Sequence, residues 1–284
     1  MAAPSSPLPE FTRPPLVEAA LTVQFEKIEK LRTVEAGLFW DRLRNEFPDL
    51  DSVEEHPPIE QRIEVDGAER FRSAGVQVEL VGTPTLPRLF FVTDSKNELI
   101  QLQSDRISHN WRKRTENDEY VRYEQKIRPR FLRELRLLDQ FLADEKLGAL
   151  TPVQCEIAYI NHIEPLGGLA KAVSASDVLR VLSSSYQGVA GCELEDVNLN
   201  LQHVIRDSGG NFMGRLLVST KSALRRADNR QILVLELVAR GKPIGEGIEG
   251  ALRFLDHGRR LLRECFDSIS TERMHEIWGR TDGR

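Results

Sequence analysis

Val197-Asn198-Leu199-Asn200-Leu201-Gln202-His203-Val204-Ile205, then Asp207-Ser208-Gly209-Gly210-Asn211, then Phe212-Met213-Gly214-Arg215-Leu216-Leu217-Val218-Ser219-Thr220: this stretch decides the fold. In its first part Val197, Leu199, Leu201 and His203 fall on one face, and Asn198, Asn200, Gln202 and Val204 on the other. A period of two marks a half-buried strand. The Asp-Ser-Gly-Gly-Asn run is rich in turn formers. Residues 212–220 then supply the returning strand of an antiparallel hairpin, and residues 231–239 a third strand. Over residues 248–269 the period changes. Leu252, Leu255, Leu262 and Phe266 recur at helical spacing and predict one long helix. Upstream, residues 153–163 read as a strand. Residues 176–186 read as a helix, with Ser174 or Ser176 as its N-cap.

The first part of the chain repeats this order. Residues 16–25 read as a strand in which Leu21, Val23 and Phe25 alternate. Residues 34–47 read as an amphipathic helix with Val34, Leu38, Leu43 and Phe47 near helical spacing and Trp40 beside them, stopped by Pro48. An acidic stretch, residues 49–69, contains Pro57-Pro58, which argues for an irregular or edge segment there. Residues 59–65, 76–81, 89–93 and 99–103 read as short strands. Residues 120–147 read as a long helix carrying Ile127, Phe131, Leu135, Leu138 and Leu142, with Pro129 in its first turns and Gly148 at its end.

The expectation is therefore an α+β protein of two similarly ordered halves, each a strand, a helix, three or four mostly antiparallel strands and a long helix. The sheets each pack on a long helix and could join edge to edge. A flexible leader at residues 1–12 precedes an N-terminal half at 13–150 and a C-terminal half at 151–284. The order of elements is the basis for the repeat, since the halves share little residue identity.

Of the 284 residues, 40% are hydrophobic and 29% charged, which fits a globular chain with a proper core. The net charge is −5. Residues 1–150 carry 22 Lys+Arg against 27 Asp+Glu, and the rest balance at 17 each. Neither half is basic, which argues against generic duplex-DNA binding. Cys155, Cys192 and Cys265 are odd in number and far apart, as expected of reduced thiols in the cytoplasm. Residues 1–15 hold five prolines and no apolar run, so they do not read as a signal peptide, and no apolar run is long enough to span a membrane.

Several motifs resemble a bacterial family of sporadic distribution and uncharacterised activity. They are Arg13-Pro14-Pro15-Leu16-Val17-Glu18-Ala19, Leu99-Ile100-Gln101-Leu102-Gln103-Ser104-Asp105-Arg106 and Asn110-Trp111-Arg112. Near the end follow Asp256-His257, Phe266 and His275-Glu276-Ile277-Trp278-Gly279-Arg280. The resemblance spans nearly the whole chain. It implies an accessory role, such as defence or a mobile operon, and carries over no catalytic residue.

Residues 101–114 form the most unusual segment. Gln101 and Gln103 share one face of a strand, and Asp105, Arg106, Asn110, Trp111 and Arg112 follow. Alternating polar side chains can orient a ligand or contact a partner. Asp105 and Arg106 can equally pair to fix a turn. Residues 106–136 hold ten Lys or Arg and five Asp or Glu, with Trp111, Tyr120, Tyr123 and Phe131 interleaved. Arg112, Lys113 and Arg114 are the residues that single-stranded nucleic acid would use. The bland reading of this stretch is a solvated helix face with pairs such as Arg130–Glu134, and it is preferred.

Other chemistry finds little footing. The six histidines are scattered, and His275-Glu276 lacks a second histidine one turn on. His162 with Glu164, or His203 with Asp207, are the pairs left for a metal, and no metal or cofactor is expected. Nucleophile motifs such as GxSxG and SxxK are missing. Cys155, between apolar neighbours, reads as an inert thiol. The glycines around Gly245, Gly247 and Gly250 read as a tight sheet-to-helix turn. Glu18 and Glu156 fall at equivalent places in the two first strands, where a carboxylate pair is the functional reading and ordinary ion pairing the structural one. The leading expectation is a non-enzymatic binding protein that holds a protein partner encoded by a neighbouring gene. A small-ligand protein or enzyme with a pocket between sheet and long helix is the first rival. Single-stranded nucleic-acid binding is the second.

Overall fold

The computed structural model describes residues 9–61, 63–67, 86–115, 117–118, 120, 122–164, 175–183, 190–191, 196–225 and 228–281. The strands are β1 (Glu10–Phe11), β2 (Leu16–Phe25), β3 (Leu50–His56), β4 (Arg88–Thr93), β5 (Glu98–Gln103), β6 (Arg106–Arg112), β7 (Pro152–Ile163), β8 (Leu199–Arg206), β9 (Phe212–Leu224), β10 (Gln231–Gly241) and β11 (Arg280–Thr281). The helices are α1 (Thr33–Glu46), α2 (Arg128–Asp144), α3 (Ala175–Val178), α4 (Arg180–Ser183), α5 (Gly247–Ile269) and α6 (Glu272–Trp278). A π-helical turn, Tyr123–Ile127, leads into α2.

The chain is an α+β protein built on one nine-stranded antiparallel sheet in the order β3-β4-β5-β6-β2-β7-β10-β9-β8. The first strands of the two halves, β2 and β7, pair at its middle. Outward from that seam each side runs through the last strand of its half and then back through the earlier ones. The first side has an additional edge strand, β3, and the helices among the described residues between β7 and β8 are the four-residue α3 and α4. At the seam Ala20 faces Ala158, so Glu18 opposite Ile160 and Glu156 opposite Thr22 are equivalently placed.

Strand alternation divides the sheet into two faces. Leu21, Val23, Phe25, Ile100, Ile107, Trp111, Ile157, Leu235 and Leu237 lie on one face in the main core. The long helices α1, α2 and α5 cover that face, α2 over β6 and α5 over β7, β10 and β9. α5 comes close because it carries Gly258: a Cβ there would sit 2.8 Å from Ile157 Cγ2 and 3.1 Å from Ala239 Cβ. Its inward row of Leu252, Leu255, Leu262 and Phe266 is as the spacing predicts. Pro129 sits in the first turn of α2, where its missing N–H costs no bond. After that helix both Lys146, φ 56°, and Gly148, φ 150°, have positive φ, and the helix itself ends at Asp144.

Several expectations need correction. The inward face of α1 is Ala36, Phe39 and Leu43. Leu43 and Phe47 are buried as the spacing placed them, but Val34 and Leu38 are 74% and 51% exposed, and Ala36 and Phe39 take their places inward. Among the described residues of 59–65 none is in a strand; Ile59 and Glu64 bond to side chains of β5 and β7 instead of pairing along a strand. Residues 106–112 are a full strand, β6, hidden in the sequence by alternating polar residues. The helix expected at 176–186 is α3 and α4, with residues 184–186 outside the described set. The strand expected at 76–81 also lies outside it. Within the expected leader, Glu10–Phe11 pairs with Arg280–Thr281, and Phe11 packs on Phe266 and Trp278. Among the described residues no helix is long and apolar enough to cross a membrane.

Candidate functional site

The face of the sheet turned away from the long helices carries a ladder of polar side chains. Alternation on β5 and β6 puts Gln101, Gln103, Ser108 and Asn110 on this face. Gln101 Nε2 donates to Asn110 Oδ1 at 2.6 Å, and Asn110 Nδ2 donates to Glu18 Oε1 at 2.9 Å. The other Glu18 oxygen lies 3.0 Å from Arg112 Nε. Thr22 and Ser108 hydroxyls meet at 2.8 Å. Across the seam Arg240 pairs with Glu156 directly opposite it, as Arg112 does with Glu18. Glu18 and Glu156 thus occupy equivalent places and each takes an arginine, not the other carboxylate. Burial pulls the Arg240 guanidinium down, but Glu156 and Glu64 outweigh it and hold the group above its ordinary value.

Residues 59–66 cross one end of this open face. Gln103 meets the backbone of Ile59 twice: Ile59 N–H donates to Gln103 Oε1 at 3.0 Å, and Gln103 Nε2 donates to Ile59 O at 2.8 Å. Gln61 Nε2 donates to Phe25 O at 3.1 Å. Glu64 N–H donates to Gln154 Oε1 at 2.6 Å, and Arg215 and Arg240 both take the Glu64 carboxylate. Arg215 Nη2 also donates to Val65 O at 2.6 Å, and Arg206 reaches Asp66.

Of the residues singled out in the sequence, Gln101, Gln103, Asn110 and Arg112 converge on the open face. Asp105 and Arg106 pair with each other at the β5–β6 turn, 3.0 Å apart. Trp111 points the opposite way, into the core, edge-on to Tyr120. Because the polar group faces away from α2 and α5, it does not line a space between sheet and long helix. That space is filled by apolar side chains and, between β6 and α2, by a buried cluster around His109 and Glu134.

The basic stretch is largely committed to carboxylates elsewhere in the chain. Arg128 grips Asp256 with two nitrogens, Arg130 takes Asp49 at 2.7 Å, Arg133 takes Glu46 and Arg136 reaches Glu249. Arg114 Nε donates to Lys96 O, and Lys113 N–H to Val17 O. These ion pairs tie α2 to α1 and α5.

Sequence reasoning missed a buried cluster beneath β5 and β6. His109, fully buried, faces Glu134 through Nδ1 at 2.9 Å and Glu98 through Nε2 at 3.8 Å. A carboxylate only accepts, so Nδ1 carries the proton shared with Glu134. Arg130 lies 3.3 Å from Glu134 and 3.4 Å from Glu98, and Lys126 closes on Glu98 from the π-helical turn. The sign in the sequence was Glu134, a charge on the inward face of an amphipathic helix.

Ser270 and His275 are the closest approach to a nucleophile and base. Ser270 Oγ is buried, 2.9 Å from His275 Nε2 and 2.5 Å from Phe266 O. The carbonyl can only accept, so it takes the hydroxyl proton, and His275 donates to the oxygen. The imidazole therefore cannot act as the base of that serine. This pair and Phe11 fasten the C-terminal turn. Glu164 is held by Arg225, and Asp207 by the backbone of Gly209 and Asn211, so neither histidine pair is set up for a metal. Among the described residues no group of three His, Cys, Asp or Glu is arranged to hold a metal ion.

The chain matches no model of a known protein family and no curated protein.

Proposed function

We propose that this is a non-enzymatic binding protein that holds a protein partner on the open face of its nine-stranded sheet. The observation that carries the reading is the polar ladder running from Gln101 through Asn110 and Glu18 to the Arg240–Glu156 pair, on the side away from α1, α2 and α5. Each carboxylate of the ladder is held by an arginine. A polar surface held rigid by such pairs is well suited to recognition. An accessory role in a bacterial defence or toxin–antitoxin-like operon fits the family the motifs resemble. The products of adjacent genes are therefore the partners to try.

The test is capture of those products by the full chain and by two surface variants. Gln202→Arg with Lys221→Glu changes exposed positions on the open face. Arg136→Glu changes the outer side of α2. Partner capture falls at least tenfold in the first variant and holds in the second. Loss in the second alone, or turnover of a substrate by the isolated chain, would refute the reading.

A further inference from the structure

We infer that the open face is built to hold an extended acidic peptide of the partner, and that residues 59–66 occupy one end of it as an internal stand-in. The inference rests on the partner-binding reading above and names the partner's chemistry. Three observations carry it.

The contacts to residues 59–66 are of the kind that recognise any extended peptide. Gln103 reads both ends of the Ile59 backbone, Gln154 accepts the Glu64 N–H and Arg215 donates to the Val65 carbonyl. Among the described side chains of the segment, one carboxylate, that of Glu64, is taken by two arginines, Arg215 and Arg240. Paired guanidinium groups select a carboxylate with strong geometric preference.

Apolar anchoring is weak. Ile59 and Ile63 are 41% and 45% exposed, so neither is buried in the sheet. A segment held by backbone contacts and one carboxylate is open to exchange with another segment bearing the same groups.

The row that the segment crosses favours anions. Arg88 lies on it beside Arg106 and Arg112. Burial first, and then those two cations, lowers its guanidinium below the ordinary value. Arg88 Nε is buried with no hydrogen-bond partner among the described residues, over the ring of Phe90. The side chain of Gln24, 3% exposed in the same row as Arg106 and Gln154, likewise has an unpaired oxygen, Oε1. The first is a site for an acidic group and the second for a peptide N–H.

The experiment uses the full chain with residues 59–66 replaced by eight Gly and Ser residues, its fold checked by circular dichroism. The probe is a fluorescent peptide with the sequence of residues 57–66. In the natural chain the tethered segment competes at roughly millimolar effective concentration. The exchanged chain should therefore bind the probe at least tenfold more tightly than the natural chain. A probe carrying Glu64→Gln, at the second of its two glutamates, should lose at least tenfold. Equal binding by the two chains, or by the two probes, would overturn the inference. So would tighter binding of a single-stranded oligonucleotide than of the peptide. If the peptide fails while a neighbouring gene product is still captured through the open face, only this inference falls. If capture through the face fails too, the reading beneath it falls with it.

Discussion

The side chain of Gln103 holds the backbone of Ile59 at both ends, accepting its N–H at 3.0 Å and donating to its carbonyl at 2.8 Å. The two residues are separated by 44 positions and by most of the first half of the sheet. A side-chain amide is here doing what a neighbouring strand would do. It explains how residues 59–66 stay extended without belonging to the sheet.

Gln103→Ala should free this end of the segment while leaving the fold intact. Each lost bond contributes about 1 kcal/mol net, because water replaces it. Amide exchange at Ile59 and Glu64 should speed up roughly fivefold or more, with the amides of β2 and β7 unchanged. Equal exchange in both proteins would show that Gln103 does not hold the segment.

Glu134 is the centre of the buried cluster, facing both His109 and Arg130. Glu134→Ala leaves those groups buried without their carboxylate, which typically costs about 3–5 kcal/mol. Urea unfolding should show a lower midpoint with the slope unchanged. A loss under about 1 kcal/mol would mean that water reaches His109.

Asp118 accepts the backbone N–H groups of Thr115 and Arg114 and the side-chain amide of Asn97, and these bonds hold its carboxyl at about 2. A depressed carboxyl contributes stability that is present above the free aspartate range, near pH 4, and is lost as pH falls toward 2. The Asp118 carboxyl signal in an NMR titration should have its midpoint near pH 2. Asp118→Asn should loosen residues 113–118 even at neutral pH. A midpoint near 4 would contradict the hydrogen bonding.

Burial pushes the Cys155 thiol well up and the Cys265 thiol to about 11. Alkylation at pH 8 followed by peptide mapping should leave Cys155 unmodified until denaturant is added. Cys265 should react slowly, and faster as pH approaches 11. Rapid labelling of Cys155 in the native chain would show that β7 opens.

The parts legible in the sequence are those where one periodicity dominates. β2, β9, β10 and α5 fall where alternation or helical spacing places them, and the α+β class follows from them. β6 was not legible as a strand, because its outward residues Arg106, Ser108, Asn110 and Arg112 are polar and its inward residues include His109. Polar residues on a sheet face read as a loop until the neighbouring strands are known. Residues 59–65 failed the opposite way. Ile59, Ile63 and Val65 have strand-like character, but here the segment runs across the strands. The site was half visible: Gln101, Gln103, Asn110 and Arg112 were found by alternation. Arg215, Arg240 and Gln154 were not, since register over 90 to 176 residues brings them to Glu64. Trp111 shows the limit of proximity in sequence, because one step along a strand reverses the face.

The most direct measurement is photo-cross-linking from single positions on the full chain, mixed with the product of the adjacent gene. A benzophenone amino acid replaces Asn200 or Lys221, both exposed on the open face, or Arg136, exposed on α2. Cross-links from Asn200 and Lys221, with none from Arg136, are the predicted result. Cross-links from Arg136 alone would contradict the account.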